Sequence, residues 1–262
     1  MPEFFLGAHR PPWLESSPVP LFVSHSTLGK RKKLPRARVR WALDSGAFTE
    51  VSKHGRHRMS AKDYAARVKV YQRDIGQLFF AAPQDWMCEP PVIKRTGLSV
   101  REHQKRTIQN FLELREHAPE VPWMPVLQGW GMGDYFDHYE AYARAGVDLR
   151  KAQRVGVGSI CRRQGSIRIS MILSELKAEG LKLHGFGLKV KGFELARECL
   201  ASADSMAWSV HERKEHREKR LWDPSLPKTG RQNEIEAALE WLEYVLEPAM
   251  TRGAQYPELR AA

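Results

Sequence analysis

The chain of 262 residues carries 42 Lys and Arg against 31 Asp and Glu, which gives a formal net charge of +11. Its length is typical of one (β/α)8 barrel, and its 42% hydrophobic residues are enough for one sizeable core. No apolar run approaches the roughly 20 residues of a membrane-spanning helix, which argues against such a span.

The cysteines and the first residues indicate the compartment. Cys88, Cys161 and Cys199 are odd in number and widely spaced, so neither a disulfide framework nor a CxxC metal motif can be drawn from them. The first residues lack the basic start and the long apolar segment of a secretory signal. We therefore expect a reducing, cytoplasmic location and no membrane partner.

Eight short runs rich in apolar residues are predicted to be β-strands, the last of them weakly. They are residues 4–6, 21–24, 39–44, 78–82, 124–128, 154–159, 183–188 and 205–208. Helical segments alternate with most of these runs, which implies parallel pairing through right-handed crossovers. The sequence thus predicts an α/β fold, a single TIM-type (β/α)8 barrel over residues 1–262, with an open doubly wound sheet as the alternative.

The predicted helices have clear start signals and apolar faces. Ser60 with Asp63, and Ser99 with Glu102, have the spacing of a capping box, in which each side chain satisfies a free backbone amide of the other residue. The helix over 99–117 places four apolar residues on one side, namely Ile108, Phe111, Leu112 and Leu114. Further helices are predicted over 167–178, 193–201 and 235–246, and a proline-rich loop is predicted for the first connection.

Two segments hold much of the excess positive charge, residues 30–40 and residues 211–220. Clustered cations raise the affinity for a polyanion by displacing its counterions, whatever its sequence. Nucleic acid is the partner that this pattern favours, the alternative being a basic surface that serves only solubility.

Three short runs end on or lead into an acid, namely residues 41–44 at Asp44, residues 78–83 before Asp85 and residues 202–204 at Asp204. Because the carboxyl ends of the strands of a parallel barrel converge on one face, we expect these acids to meet over one substrate. Taken singly, each also fits a turn or a helix cap. No GxGxxG follows the first strand and no GxxxxGK[ST] occurs, so no nucleotide cofactor, and no other cofactor, is expected.

Five short motifs follow one another over residues 40 to 210. They are Asp44-Ser45-Gly46-Ala47-Phe48, Asp85, Gln128-Gly129, Gly156-Val157-Gly158 and Asp204-Ser205. In this order they resemble the motifs of the tRNA-guanine transglycosylases, and more closely those of their relatives that insert 7-deazaguanine bases into phage and bacterial DNA. The resemblance implies a barrel enzyme that exchanges one base for another.

The resemblance also implies roles for individual residues. Asp204 resembles the nucleophile that attacks the anomeric carbon, and Asp44 resembles the acid that transfers protons to and from the bases. Asp85 is the expected reader of the N1 and 2-amino donors of guanine. The O6 and N7 side of the base is expected to be bound by Gln128 with Gly129 and by a backbone amide near Gly158. The two faces of the base are expected to be covered by Phe48 and His184.

A base inside a duplex must be flipped out or presented single-stranded, which requires contacts to the DNA backbone. The candidates are the exposed cations near the expected barrel mouth, Lys30, Arg31, Lys32, Lys33, Arg162, Arg163, Arg213, Lys214 and Arg217.

The chain departs from the family pattern in three ways. The cysteine motif that binds structural zinc in the tRNA enzymes is absent, so no metal is expected, and tRNA recognition and the familiar dimer are both in doubt. Ala47 replaces a glycine of the first motif, which narrows the pocket slightly. Family members often show two acids three residues apart where this chain has Asp204 and Ala207, and in the other register the chain would lack its nucleophile.

The function expected from the resemblance is the exchange of guanine in DNA for a free 7-deazaguanine base. The alternatives are the same reaction on tRNA, a basic nucleic-acid-binding barrel without turnover, and a glycosidase-like hydrolase that uses Asp44 and Asp204. DNA and the free base are the expected partners, in the host cytoplasm if the protein is phage-encoded, and the protein is expected to be a monomer or a homodimer.

Overall fold

A computed structural model describes residues 1–163 and 165–247 of the chain. Eight strands form one all-parallel sheet with the spatial order β4-β3-β2-β1-β8-β7-β6-β5. Their bounds are β1 Glu3–Ala8, β2 Leu21–Ser24, β3 Trp41–Asp44, β4 Leu78–Ala81, β5 Val126–Leu127, β6 Val155–Val157, β7 Leu183–Gly185 and β8 Ser202–Ser205.

The two edges of this sheet meet at Ala81 at the end of β4. Its amide donates to the Pro122 carbonyl at 3.0 Å, and its carbonyl accepts from the Met124 amide at 2.9 Å. These two hydrogen bonds join the β4 edge to the segment that enters β5. The fold is therefore a (β/α)8 barrel, as predicted, and the open doubly wound alternative is wrong.

Helices cover the outside of the barrel. Within the described residues their bounds are α1 Trp13–Ser16, α2 His25–Leu28, α3 Ala47–His54, α4 Ala61–Asp74, α5 Pro90–Thr96, α6 Val100–His117, α7 Met132–Arg144, α8 Ile167–Ala178, α9 Val190–Ala196, α10 Ala207–Trp222 and α11 Ile235–Leu246. Half of each predicted capping box forms, because the Ser60 and Ser99 hydroxyls accept from the amides three residues later. The Glu102 carboxylate pairs with Arg106 instead of closing its box.

Several element bounds correct the sequence predictions. The eighth strand is Ser202–Ser205, and the second half of the stretch predicted as that strand belongs to the first turn of α10. The helix predicted over 193–201 begins earlier and ends at Ala196. Leu112, expected on the apolar face of α6, is 36% exposed, while His103, Gln104 and Thr107 are buried on that face. The first connection contains the short helix α1.

Alternate residues of the strands face two separate apolar layers. In β1, Phe4 and Leu6 pack in the large layer between the strands and the helices, whereas Phe5 packs inside the barrel. The other buried members of the inner layer are Phe22, Ala42, Phe80, Ala82, Met124 and Val126. Because both faces of β1, β2 and β3 are buried, these strands read as continuous apolar runs in the sequence.

The amino-terminal end of the barrel is closed by charged side chains. Glu3 pairs with Arg40 at 2.5 Å and with Arg154 at 3.4 Å, and both guanidinium groups lie over the Phe79 ring, at 5.0 and 5.4 Å from its centroid. This end is occupied, so a substrate must enter from the other end.

The structure bears on the expectations about the single domain, a membrane helix and a metal site only within the residues that it describes. Residues 248–262 of the predicted single domain lie outside them. Within residues 1–163 and 165–247, no helix is long and apolar enough to cross a membrane. In the same ranges, no group of three or more His, Cys, Asp or Glu side chains is arranged to hold a metal ion.

Candidate active site

The three acids singled out in the sequence lie at the carboxyl ends of the strands. Asp44 is the last residue of β3, Asp204 is the third residue of β8, and Asp85 follows the end of β4 by four residues. Asp85 and Asp204 are 8% and 5% exposed, and Asp44 is half-buried. The charge of Asp44 is close enough to raise the pKa of Asp85, and the charge of Asp204 raises that of Asp44.

A sharp turn fixes Asp44 at the barrel mouth. Gly46 has φ +78°, a left-handed conformation that favours glycine, and it lets α3 begin directly after the strand. The Ser24 hydroxyl and the Gly46 amide lie close enough to the Asp44 carboxylate to lower its pKa. Burial nevertheless raises the pKa of Asp44, because desolvation outweighs those two donors. Asp44 is thus suited to hold and release a proton.

The Asp204 carboxylate is held through one of its two oxygens. Its Oδ1 lies 3.3 Å from His184 Nε2 and accepts from the Gly187 amide at 3.1 Å. Oδ2 makes no hydrogen bond within the part of the chain that the structure describes. A carboxylate oriented by one oxygen leaves the other oxygen available to a substrate, as a nucleophile requires.

The structure corrects the role expected of His184. Its side chain is fully buried among the inner-layer rings, with ring centroids 5.0 Å from those of Phe80 and Phe186. Nδ1 bonds to the Ser202 hydroxyl at 2.9 Å, and Nε2 faces Asp204. In this structure the rings of Phe22, Phe80 and Phe186 surround the imidazole, so no face of it is open to a base. His184 instead supports Asp204 from inside the barrel.

Asp85 and Gln128, which are expected to read the edge of the base, face each other and are hydrogen-bonded in this structure. The Gln128 Nε2 donates a short hydrogen bond to Asp85 Oδ2, and the Ser159 hydroxyl donates to Gln128 Oε1 at 2.7 Å. Burial raises the pKa of Asp85 to about 7, against the lowering effect of the Gln128 hydrogen bond. In this structure the two side chains satisfy each other, so a purine must replace that hydrogen bond in order to enter.

Residues that the sequence analysis missed hold the backbone of Gln128. The Gln128 amide donates to His138 Nδ1 at 2.8 Å, and its carbonyl accepts from Gln104 Nε2 at 2.8 Å. Burial lowers the pKa of His138 to about 3, so the ring is neutral and Nδ1 can accept. Gln104 lies on the apolar face of α6, and a polar residue on such a face was the available sequence signal.

The predicted glycines act by permitting close approach. A Cβ on Gly158 would lie 2.1 Å from Gln128 Nε2, and one on Gly129 would lie 2.9 Å from the Asp134 Cβ. The Gly158 amide itself donates to the Leu127 carbonyl in the sheet, so the expected contact of the base with a backbone amide near Gly158 stays a prediction for a neighbouring residue. Gly158 instead provides the space that the Gln128 side chain occupies.

The expected stacking and phosphate-binding residues divide into two groups. Phe48 is 39% exposed, and the exposed Arg162 lies over its ring at 5.0 Å from the centroid. Arg163, by contrast, donates to the carbonyls of Trp130 and Ser159 and stacks on the Trp130 ring at 3.9 Å. Its guanidinium is committed to the loops after β5 and β6, which corrects its assignment to nucleic acid.

The other basic candidates lie at different distances from the mouth. Lys30, Arg31, Lys32 and Lys33 are exposed directly after α2, which starts where β2 ends. Arg213, Lys214 and Arg217 are exposed on α10, which starts two residues after β8. At 1.5 Å per residue, Arg213 is about 9 Å and Arg217 about 15 Å along the axis from the start of α10.

Two cavities are lined by neighbours of the acids, although none of the three acids lines either cavity. One of about 1000 Å³ is lined by Ser45, Gly46 and Gln84, next to Asp44 and Asp85, and it reaches Lys30 and Arg67. The other, of about 570 Å³, is lined by glycines and cations. Its lining is Cys161, Arg162, Gly165, Gly187, Lys189, Lys191 and Gly192. Gly187 connects this second cavity to Asp204.

Comparisons with known proteins bear on this site. No curated protein matches the sequence significantly. A sequence model of the family described as DpdA, DeoxyPurine in DNA protein A, matches residues 1–252, a range that includes every site residue described above. This match confirms the resemblance drawn from the five motifs. The chain therefore belongs to the DpdA family.

Proposed function

We propose that this protein exchanges guanine in DNA for a free 7-deazaguanine base through a covalent aspartyl intermediate. Membership of the DpdA family supports a role in modifying DNA purines. The observation that carries the finer proposal is the placement of Asp204 and Asp44 at one barrel mouth with the facing pair of Asp85 and Gln128. Two acids for the chemistry and a polar pair for a base edge are the parts that base exchange requires.

In the first half-reaction, Oδ2 of Asp204 attacks C1′ of the deoxyribose. The new C–O bond forms as the bond from C1′ to N9 of guanine breaks, and the bonding electron pair leaves with the base. Asp44, whose pKa is raised by burial, donates a proton to the departing guanine. Bonds to His184 and Gly187 keep Oδ1 of Asp204 in place during the attack.

The second half-reaction reverses these steps with a different base. The incoming 7-deazaguanine gives its N9 proton to Asp44, and N9 attacks C1′ as the bond to Asp204 breaks. The aspartate leaves as a carboxylate, so both acids return to their starting states. No redox step occurs and no nucleotide cofactor is consumed.

In the proposed reaction, Asp85 and Gln128 read the hydrogen-bonding edge of the base. The Asp85 carboxylate accepts from the neighbouring N1 and 2-amino donors of guanine, and the Gln128 Nε2 donates to O6. A purine without these groups would leave buried polar atoms unpaired, which is a strong basis for rejection. The hydrogen bond between Asp85 and Gln128 keeps both side chains paired until a base replaces it.

The cavities on both sides of the mouth support a path for a DNA strand. The larger cavity brings Lys30 and Arg67 together with Ser45, which follows Asp44. The smaller brings Arg162 and Lys191 together with Gly187, whose amide bonds Asp204. Such cations bind phosphate without reading sequence, while Phe48 at the rim offers a ring to a flipped base.

The test is incubation of the protein with radiolabelled guanine and with separate DNA and tRNA. Label entering DNA is the expected result. Label entering tRNA alone would move the substrate to tRNA, free base released without replacement would mark a hydrolase, and binding without incorporation would mark a module without turnover.

The matched variant is Asp204→Asn, which keeps the size of the side chain and removes the nucleophile. Incorporation should fall below detection, whereas DNA retention in a filter-binding assay should stay within about twofold, since phosphate contacts dominate affinity. Normal turnover by Asp204→Asn would remove Asp204 from the nucleophile role.

A further inference from the structure

A buried acid that the proposed reaction does not use is connected to Asp85 and Gln128 by hydrogen-bonding side chains. Glu89 is 3% exposed, and its Oε2 lies 3.2 Å from the Ser159 hydroxyl. Ser159 Oγ in turn lies 2.7 Å from Gln128 Oε1 and accepts from the Cys88 amide at 2.7 Å. A continuous chain of contacts therefore joins Glu89 to Asp85 through Ser159 and Gln128.

Counting hydrogens along this chain shows how it is oriented. A hydroxyl has one hydrogen to donate and two lone pairs, and an amide oxygen only accepts. If Ser159 gives its hydrogen to Gln128 Oε1, its contact with Glu89 is a hydrogen bond only when Glu89 carries a proton and donates it. Every contact is then satisfied, and the Gln128 Nε2 points to an ionised Asp85.

The opposite arrangement is also self-consistent. An ionised Glu89 takes the Ser159 hydrogen, the Gln128 amide turns over so that Nε2 donates to Ser159, and Gln128 Oε1 then faces a protonated Asp85. The two carboxyl groups hold one proton between them in either case. The position of that proton determines which face of the Gln128 amide meets a bound base.

We propose that Glu89 is a specificity-determining residue: carrying the shared proton, it acts through Ser159 to hold the Gln128 Nε2 toward the base, so that the pocket selects a purine with a carbonyl at position 6. The proposal rests on the proposed function, because it assumes that Asp85 and Gln128 read the base. Glu89 orients Gln128 and does not itself touch the reacting atoms.

The surroundings of Glu89 are compatible with a retained proton. Burial raises the pKa of Glu89, against the lowering effects of its own amide, of Ser159 and of the charges of Arg162 and Arg163. Asp85, on the same segment, is the carboxyl group at the other end of the chain of contacts.

The discriminating ligands are 7-deazaguanine and 2,6-diamino-7-deazapurine, which share the 2-amino group and differ at N1 and at position 6. The first fits a donating Gln128 with an ionised Asp85, and the second fits the turned amide with a protonated Asp85. The ratio of their dissociation constants, measured by competition binding without DNA, reports the orientation of Gln128 directly.

Three variants test whether the ligand preference depends on a hydrogen donated to Ser159, on the charge of Glu89 or on the volume of its side chain. Glu89→Gln supplies a permanent donor to Ser159 and should keep the wild-type ratio within about twofold. Glu89→Leu removes the donor, and Ser159→Gly removes the hydroxyl at a position whose φ of +59° glycine adopts without strain. Both should reduce the preference for 7-deazaguanine by about tenfold, the usual scale of one buried hydrogen bond.

The outcomes decide the proposal. A wild-type ratio in Glu89→Leu or in Ser159→Gly overturns it, as does an equal loss in Glu89→Gln and Glu89→Leu, since charge would then matter instead of the proton. A wild-type protein with no preference between the ligands also overturns it. Because no DNA is present, a failure of base exchange leaves this ratio intact and is read separately in the incorporation assay.

Discussion

At the scale of single residues, the site depends on burial as much as on residue type. Asp44, Asp85 and Glu89 all have raised pKa values, and desolvation is the main cause for each. Clustering acids in a poorly hydrated mouth costs folding stability, which is typical of functional sites. The titration of Asp85 makes that cost measurable.

We expect Asp85→Asn to stabilise the protein more at pH 7 than at pH 4. With the Glu89 proton in place, Asp85 is ionised above about pH 7 and takes up a second proton below it, whereas the ordinary value for the carboxyl group is 3.8. Between these values the folded state binds more protons, so the contribution of Asp85 to stability is complete below about pH 4 and is lost as the pH rises through 7. The loss amounts to at most about 4 kcal/mol.

Urea denaturation of both proteins from pH 4 to pH 8 measures this effect. The difference in the free energy of unfolding should grow across the range, because asparagine has no proton to lose. Parallel pH profiles for the two proteins would show that Asp85 titrates normally.

Gly158 provides a second prediction at this scale. In Gly158→Ala the new Cβ would lie 2.1 Å from Gln128 Nε2, so the Gln128 side chain must leave its position. We expect loss of guanine binding and a cost of about 1–3 kcal/mol in stability, as for other overpacked sites. Gly133→Ala is the matched control, because its Cβ would meet nothing within 4 Å. Equal guanine binding by the two variants would contradict the assignment.

The residues of the site were only partly predictable from the sequence. Asp44, Asp85, Gln128 and Asp204 could be singled out because strand ends converge in a parallel barrel. The contact between Ser159 and Glu89 spans 70 residues of sequence, and no local pattern encodes such a distance. His184 was assigned to the wrong environment, because strand periodicity does not say which ring lies inside the barrel.

At the scale of elements, the early strands were easier to predict than the last one. β1 to β3 are apolar runs whose residues are buried almost without interruption, and their positions match the prediction closely. β8 contains only Ser202, Ala203, Asp204 and Ser205, all buried, and no apolar run marks it. Its position is fixed by pairing with β1 and β7, which is a tertiary effect.

The element-scale prediction concerns the two exposed basic segments. Per cation removed, replacing the four cations at residues 30–33 by alanine should weaken DNA binding more than replacing Arg213, Lys214 and Arg217. Lys30 lines the cavity that also contains Ser45, whereas α10 leads away from the mouth. For duplex DNA, removing one cation that binds a phosphate should lower the slope of log affinity against log salt by about 0.9. Titrations at several salt concentrations measure both quantities.

The controls for this comparison are internal. Both variants should melt at the wild-type temperature, because all seven side chains are exposed. A larger loss of affinity from the α10 variant would shift the expected DNA path to the outer wall of the barrel.

At the scale of the whole molecule, the two ends of the barrel have different tasks. The carboxyl end holds desolvated acids whose raised pKa values oppose folding. The amino end holds Glu3 between Arg40 and Arg154, which ties together the starts of β1, β3 and β6. Stability is thus supplied at one end and function at the other, an arrangement common to barrels of this kind.

Glu3→Ala tests this separation. The side chain of Arg154 is only 17% exposed, so removing its partner leaves a poorly solvated guanidinium, and we expect a cost of about 1–3 kcal/mol. Glu140→Ala is the control, since its pairing with Arg144 is largely exposed on both sides and should contribute less than about 1 kcal/mol. Urea denaturation gives both free energies. Guanine binding at low denaturant should be unchanged in both variants, because the mouth lies at the other end of the barrel, and a loss of binding in Glu3→Ala alone would show that the ends are coupled.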